Sequence, residues 1–124
     1  MTVSINRDIA SILGRTKAAI PKAFAQFNGD ATVAIHKSVN VSSMTDANTG
    51  FYDTNVTSNM SDTDYIVSNN GNDNAIAATW HYETGANKAA HRTTSVMGRI
   101  VTVRDGVGAV DLTIVGVVIY GDLA

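Results

Sequence analysis

The side chains able to do chemistry are few in this 124-residue sequence, and they are scattered. His36, His81 and His91 fall on three separate elements, and none has the HExxH spacing that sets two imidazoles on one metal. His81 and His91 flank Glu83 and could converge with it, but wet-face positions for His36 and His81 and a loop position for His91 account for them more simply. Asp62 and Asp64 are the nearest thing to a carboxylate pair for glycoside hydrolysis. That chemistry needs two acids facing one cleft, and these two share a turn. Serines are abundant, yet none sits in a GxSxG elbow. Gly106-Val107-Gly108 lacks P-loop or dinucleotide spacing and reads as a hairpin turn. The run at residues 69–74 (NNGNDN) is oxygen-rich, but it lacks the twelve-residue calcium-loop pattern and its closing Glu. No metal, no other cofactor and no enzymatic activity are expected.

The sharper chemistry is aromatic. Trp80, Tyr82 and Tyr65 could stack on a sugar ring if they stand exposed. Buried in a core or at a subunit interface they would only pack, which is the commoner fate of a lone tryptophan in a small chain.

The elements that must position these residues read mostly as strands. Val33, Ile35, Val39 and Val41 alternate with Thr32, His36, Ser38 and Asn40, the pattern of a strand with one dry face, which Lys37 interrupts. Residues 45–50 (TDANTG) read as a turn, with Gly50 able to supply positive φ. Tyr52, Thr54 and Val56 then resume the period, residues 61–64 turn again, and Tyr65 and Val67 share one parity. Residues 69–74 read as an exposed loop. Residues 75–82 alternate with both faces fairly apolar, as in a strand covered on two sides. Residues 93–104 form a long strand, Asp105-Gly106 is the strongest hairpin signal, and residues 110–120 return as a nearly continuous apolar strand suited to a central position. Six or seven strands with short turns suit a sandwich.

The N-terminus reads differently. Ser4 is a candidate N-cap, Ile5, Ile9, Ile12 and Leu13 repeat at helical spacing, and Gly14 stands at the C′ position. So short a helix needs a partner for its apolar stripe, either its own β-domain or a neighbouring subunit. Pro21 argues against one continuous helix, so residues 16–26 read as a connector. The expected fold is mainly β: an antiparallel, jelly-roll-like β-sandwich at residues 27–124 with a short N-terminal α-helical arm at residues 1–26.

Composition narrows the function. One domain is expected at this length. A formal net charge of −2 and a pI near 5.8 give no electrostatic case for nucleic acid. There are no cysteines, so stability rests on packing or assembly instead of disulfides. No basic stretch followed by a long apolar run and a cleavage site opens the chain, so no secretory signal is expected. The apolar run at residues 112–120 is too short to span a bilayer as a helix, and no membrane insertion is expected.

One set of short motifs is familiar. Phe27-Asn28-Gly29, Val33-Ala34-Ile35, SVNVSS at residues 38–43, Thr45-Asp46, Thr49-Gly50 with Tyr52, and then Met60, Asp62 and Tyr65 follow one another in order. This run resembles a β-domain of tail-fibre and other virion structural proteins of tailed bacteriophages, many of them marine. The resemblance covers roughly residues 27–121, and it is a fold signature and not a catalytic one. Two departures stand out: no tryptophan precedes Phe27, and Thr54 occupies a position where a bulkier apolar residue is usual. The resemblance implies a virion protein assembled in the host cytoplasm, a tail fibre or a head decoration or fibre component, and a homotrimer. It also implies attachment to other virion proteins through the N-terminal stripe of Ile5, Ile9, Ile12 and Leu13. A receptor- or glycan-binding module at a fibre tip is the alternative, with Trp80, Tyr82 and Tyr65 as its aromatics. A small carbohydrate-active enzyme is the third class, and it requires a cleft with two carboxylates.

Overall fold

Strict alternation makes β1 the simplest strand to understand: Ala23, Ala25 and Phe27 turn inward while Phe24, Gln26 and Asn28 turn out. The computed structural model describes residues 19–72, the backbone of residues 77–82, and residues 91–124. Within these lie β1 (Ala23–Asn28), β2 (Ala34–Val39), β3 (Val41–Asn48), β4 (Phe51–Val56), β5 (Ile66–Asn72), β6 (Ala77–Tyr82), β7 (Val96–Arg104), β8 (Gly108–Ala109) and β9 (Ile114–Tyr120). All ladders between these strands are antiparallel. They form one sheet in the order β2-β1-β9-β5 and a second in the order β3-β4-β7-β6, with β8 added to β7.

The two sheets share one core. Ala23, Ala25 and Phe27 of β1 and Val115, Val117 and Ile119 of β9 come from the first sheet; Val41, Tyr52, Val56 and Ile100 come from the second. Met60, Tyr65 and Leu112 close the ends from connecting segments. Each of the larger apolar side chains among them stabilises the fold by roughly 1.5–3 kcal/mol through burial. Phe27 and Tyr52 meet edge to face across the core, with ring centroids 5.1 Å apart. β9 pairs with β1 on one side and β5 on the other, the central position its Val- and Ile-rich sequence calls for.

The mainly β expectation holds, with nine strands among the described residues instead of six or seven. Several boundaries differ for identifiable reasons. β1 starts at Ala23, so the boundary expected between residues 26 and 27 falls inside a core strand, and the connector expected at residues 16–26 gives way to strand from Ala23. Residues 33–41 are not one strand: Asn40 takes φ 54°, passing the chain from β2 in one sheet to β3 in the other. Its side chain holds the corner, donating to the Lys22 and Ser58 carbonyls and accepting from the Ser58 N–H. Val39 consequently points outward, half exposed, where alternation alone buries it. Residues 45–48 continue β3, so the turn shrinks to Thr49 and Gly50. Asn69 to Asn72, read as loop, pair with β9 because its backbone offers them a full ladder. The apolar run at 110–120 is broken before Ile114, where residues 110–113 leave β8 and cross to the first sheet. Of the α-helical arm expected at residues 1–26, residues 1–18, which include the helix expected at residues 4–13, lie outside the described residues, and Ala23 onward is strand.

The strands give the molecule two distinct ends. Pro21 and Lys22 enter at one end, where Lys22 N–H donates to the Ile119 carbonyl; Tyr120 to Ala124 leave there, with Ala124 N–H donating to Asn59. The opposite end carries residues 29–33, the turn at Thr49-Gly50, the hairpin at Asp105-Gly106 and residues 110–113. An apolar row crosses the outer face of the first sheet: Val39, Phe24 and Val118 lie in register, and Ile66 and Tyr120 pair in the next row but one.

Candidate functional site at the end opposite the termini

Three connections converge on Asp111. Its Oδ1 accepts the Gly50 N–H at 2.6 Å and the Tyr52 hydroxyl at 2.7 Å. The Tyr52 oxygen also lies 3.0 Å from the Gly29 carbonyl, and Gly29 N–H donates to the Leu112 carbonyl at 2.8 Å. Gly29 must be glycine here, because a Cβ would collide with the Tyr52 hydroxyl. These bonds tie the β1–β2 loop, the β3–β4 turn and the β8–β9 connection into one floor. Burial, followed by the bond to Asp111, pushes the Tyr52 hydroxyl well above its ordinary pKa, so it is a proton donor throughout the physiological range.

Above this floor opens a cavity of about 190 Å³ lined by Asp30, Asn72, Arg104, Asp111, Leu112 and Thr113. Both hydrogen bonds to the Asp111 carboxylate fall on Oδ1, and Asp111 is one of the residues that line the cavity. Asp30 opens the loop through an Asx turn, its N–H donating to Asn28 Oδ1 at 2.8 Å.

A second charged cluster sits on the outer face of the second sheet. Arg99 of β7 grips Asp53 of β4 with two bonds of 2.9 and 2.8 Å, and His91 Nδ1 lies 3.5 Å from Asp53 Oδ2. The bond to Asp53 holds the Arg99 guanidinium above its ordinary pKa. Asp53 is only 8% exposed, so this is a planar, closed ion pair whose acceptor oxygens are both occupied. Among the described residues no serine, threonine or tyrosine hydroxyl is bonded to Asp53.

The residues singled out from sequence fare differently. Tyr65, a candidate sugar-stacking ring, is 2% exposed; its hydroxyl lies 3.0 Å from both the Thr93 and Val96 carbonyls, and the Arg92 guanidinium covers its ring at 4.3 Å. Tyr65 is therefore a core residue and offers no face to a ligand. Trp80 and Tyr82 lie on β6, and their side chains fall outside the described residues, as do Ile5, Ile9, Ile12 and Leu13. Asp62 caps its own turn, its Oδ1 accepting the Asp64 N–H at 2.8 Å. His36 is exposed on β2. Among the described residues no three His, Asp or Glu side chains group as metal ligands, and no helix is long and apolar enough to cross a membrane.

Sequence reasoning missed both Asp111 and the Asp53–Arg99 pair. The only local signal for Asp111 is an acid within an otherwise apolar run, and the partners of Asp111 and Asp53 lie about 60 and 46 residues away in the chain. Compared with known proteins, the chain matches no family model, no curated protein and no solved structure.

Proposed function

We propose that this chain is a non-enzymatic structural protein of a bacteriophage virion, a tail fibre or a head decoration or fibre component. It assembles as a homotrimer and is anchored by its N-terminal arm. One observation carries the reading beyond the sequence resemblance: the described chain enters at one end of the β-domain, and the loop at residues 29–33, the Thr49-Gly50 turn and the Asp105-Gly106 hairpin lie at the other. An arm bearing Ile5, Ile9, Ile12 and Leu13 would thus hold the particle from one end while the opposite end projects. The strand order supports a jelly-roll-like sandwich. With β2 and β3 set aside as an added pair, β1-β9-β5 faces β4-β7-β6, the interleaving produced when a long hairpin wraps into two sheets. The apolar row of Val39, Phe24 and Val118, with Ile66 beside it, supports packing against further copies of the chain.

Particle incorporation tests the reading. The wild-type chain is expected in purified virions at a multiple of three copies per attachment site. Ile9→Asp should be absent from the particles while keeping its β-sheet circular dichroism. Normal incorporation of that variant removes the anchor, and absence of the wild-type chain from particles removes the proposal. The second reading, a glycan-binding module at a fibre tip, is favoured by one feature, the polar cavity at the projecting end.

A further inference from the structure

We infer that the cavity at the end opposite the termini binds a small, neutral, polyhydroxylated ligand the size of a single sugar ring. The inference deepens the second reading above and rests on it, since it needs this end to face outward.

Chemistry selects the ligand class. Asp30 and Asp111 offer carboxylate acceptors, Arg104 offers guanidinium donors, and Asn72 and Thr113 offer both kinds. Adjacent hydroxyls on a sugar ring donate to carboxylates and accept from guanidinium or amide groups, so one ring satisfies this mixed lining. Two carboxylates against one guanidinium leave one net negative charge, which disfavours anions such as phosphate. A divalent cation is disfavoured by Arg104 in the same wall and by the want of a third acid among the described residues. A volume of about 190 Å³ holds several waters or one pyranose, not an extended chain.

The floor is also fixed in advance. Asp111 is clamped by Gly50 N–H and Tyr52 O–H, and Leu112 by Gly29 N–H. A ligand therefore meets oriented acceptors and does not have to order the loops itself, which removes part of the entropic cost of binding. Among the described residues no aromatic ring lines the cavity, so the affinity rests on hydrogen bonds and falls in the millimolar range, about −4 kcal/mol. Fibre-type assemblies with several copies of such a site raise the effective affinity without new contacts.

The test is a nitrogen–proton NMR titration of the full chain with the methyl glycosides of glucose, galactose and mannose and with N-acetylglucosamine. Calcium and inorganic phosphate are titrated separately. The expected result is saturable shifts at the amides of Gly29, Asp30, Asp111, Leu112 and Thr113 with at least one sugar. In the Asp30→Asn/Arg104→Gln double variant the affinity should fall at least tenfold, with the amides of the core strands β1 and β9 unshifted. A second variant, Asp111→Asn, keeps an oxygen for Gly50 and Tyr52 but removes the carboxylate charge from the lining and replaces its other oxygen by an amide donor, and it should also weaken binding. Absence of saturable shifts up to about 50 mM of every sugar, well past the millimolar range, overturns the proposal. Undiminished binding in the double variant, shifts centred on β6, or a response to calcium or phosphate alone overturns it as well. Particle incorporation is read independently: a chain found in virions that binds no sugar loses this site and keeps its structural role, and the reverse result separates the two the other way.

Discussion

Tyr52 is wholly buried, and its single hydroxyl proton joins two sheets by donating to Asp111 beside the Gly29 carbonyl. Removing the oxygen leaves a carboxylate with one donor fewer and a ring that still fills its place against Phe27. Tyr52→Phe should therefore cost about 2 kcal/mol, the scale of a hydrogen bond to a charged group, read as a lower urea midpoint at unchanged slope. The pH dependence follows from keeping the buried hydroxyl protonated, by burial first and by the bond to Asp111 second. In the folded chain the Tyr52 pKa lies above its unfolded value of 10.0, so the folded state keeps a proton that the unfolded state releases. The contribution is complete below about pH 10 and declines as pH rises beyond it. The stability gap between wild type and Tyr52→Phe should be flat from about pH 7 to pH 9 and shrink by about pH 11. A gap that stays constant across that window refutes the assignment of the stabilisation to this proton. Thr54, two residues on, illustrates the opposite case: it is buried on the same face, and its hydroxyl has no hydrogen-bond partner in the described structure. That is the position where the sequence resemblance leads one to expect a bulkier apolar side chain.

At the scale of elements, two glycine turns with the same backbone conformation differ in what surrounds them. Gly50 has φ 72°, and a Cβ there would sit 2.7 Å from the Thr102 carbonyl oxygen and within 2.9 Å of the Val110 backbone. Gly106 has φ 73° with nothing within 4 Å. Both alanine variants incur the left-handed penalty of about 1–2 kcal/mol. Only Gly50→Ala must also displace the backbone bonds of Thr102 to Gly50 and Val110 to Thr102, so its loss should reach about 3 kcal/mol or more. Equal thermal shifts for the two variants would contradict the packing of the β3–β4 turn against β7. These turns also show how much of the fold is legible in the sequence. Asp105-Gly106 and Gly50 announce themselves by residue type, and the parity of Tyr52, Thr54 and Val56 predicts the inner face of β4 because alternation is a local property. Asn40 does not announce itself: its left-handed conformation is held by Lys22 and Ser58, each 18 residues away, and only that switch reveals that β2 and β3 belong to different sheets. The pairing of Asn69 to Asn72 with β9 is hidden for the same reason, since a polar segment reads as loop until a partner strand satisfies its backbone. The cavity residues are spread over the ends of four elements, so no local pattern in the chain groups them.

For the whole molecule the question is what covers the outer face of the β2-β1-β9-β5 sheet. Ile66 is 68% exposed and Val39 50% exposed, and both flank the half-buried Phe24, Val118 and Tyr120. Contiguous apolar side chains on a wet face mark an interaction surface more often than isolated ones do. A second and third copy of the chain are the occupants that the proposed homotrimer requires. Light scattering on the full chain should then give three times the 13.1 kDa chain mass. Val39→Asp/Ile66→Asp should reduce it to one chain with β-sheet circular dichroism intact, because neither side chain belongs to the buried core. A truncation starting at Ala19, which preserves all of β1, separates the two routes to assembly. A trimer there assigns assembly to the sheet face and leaves the preceding residues free for attachment, whereas a monomer assigns assembly to those residues. If the full chain is itself a stable monomer, the fibre reading loses its oligomeric basis. The cavity opposite the termini then becomes the leading functional feature, that of a single-copy binding module.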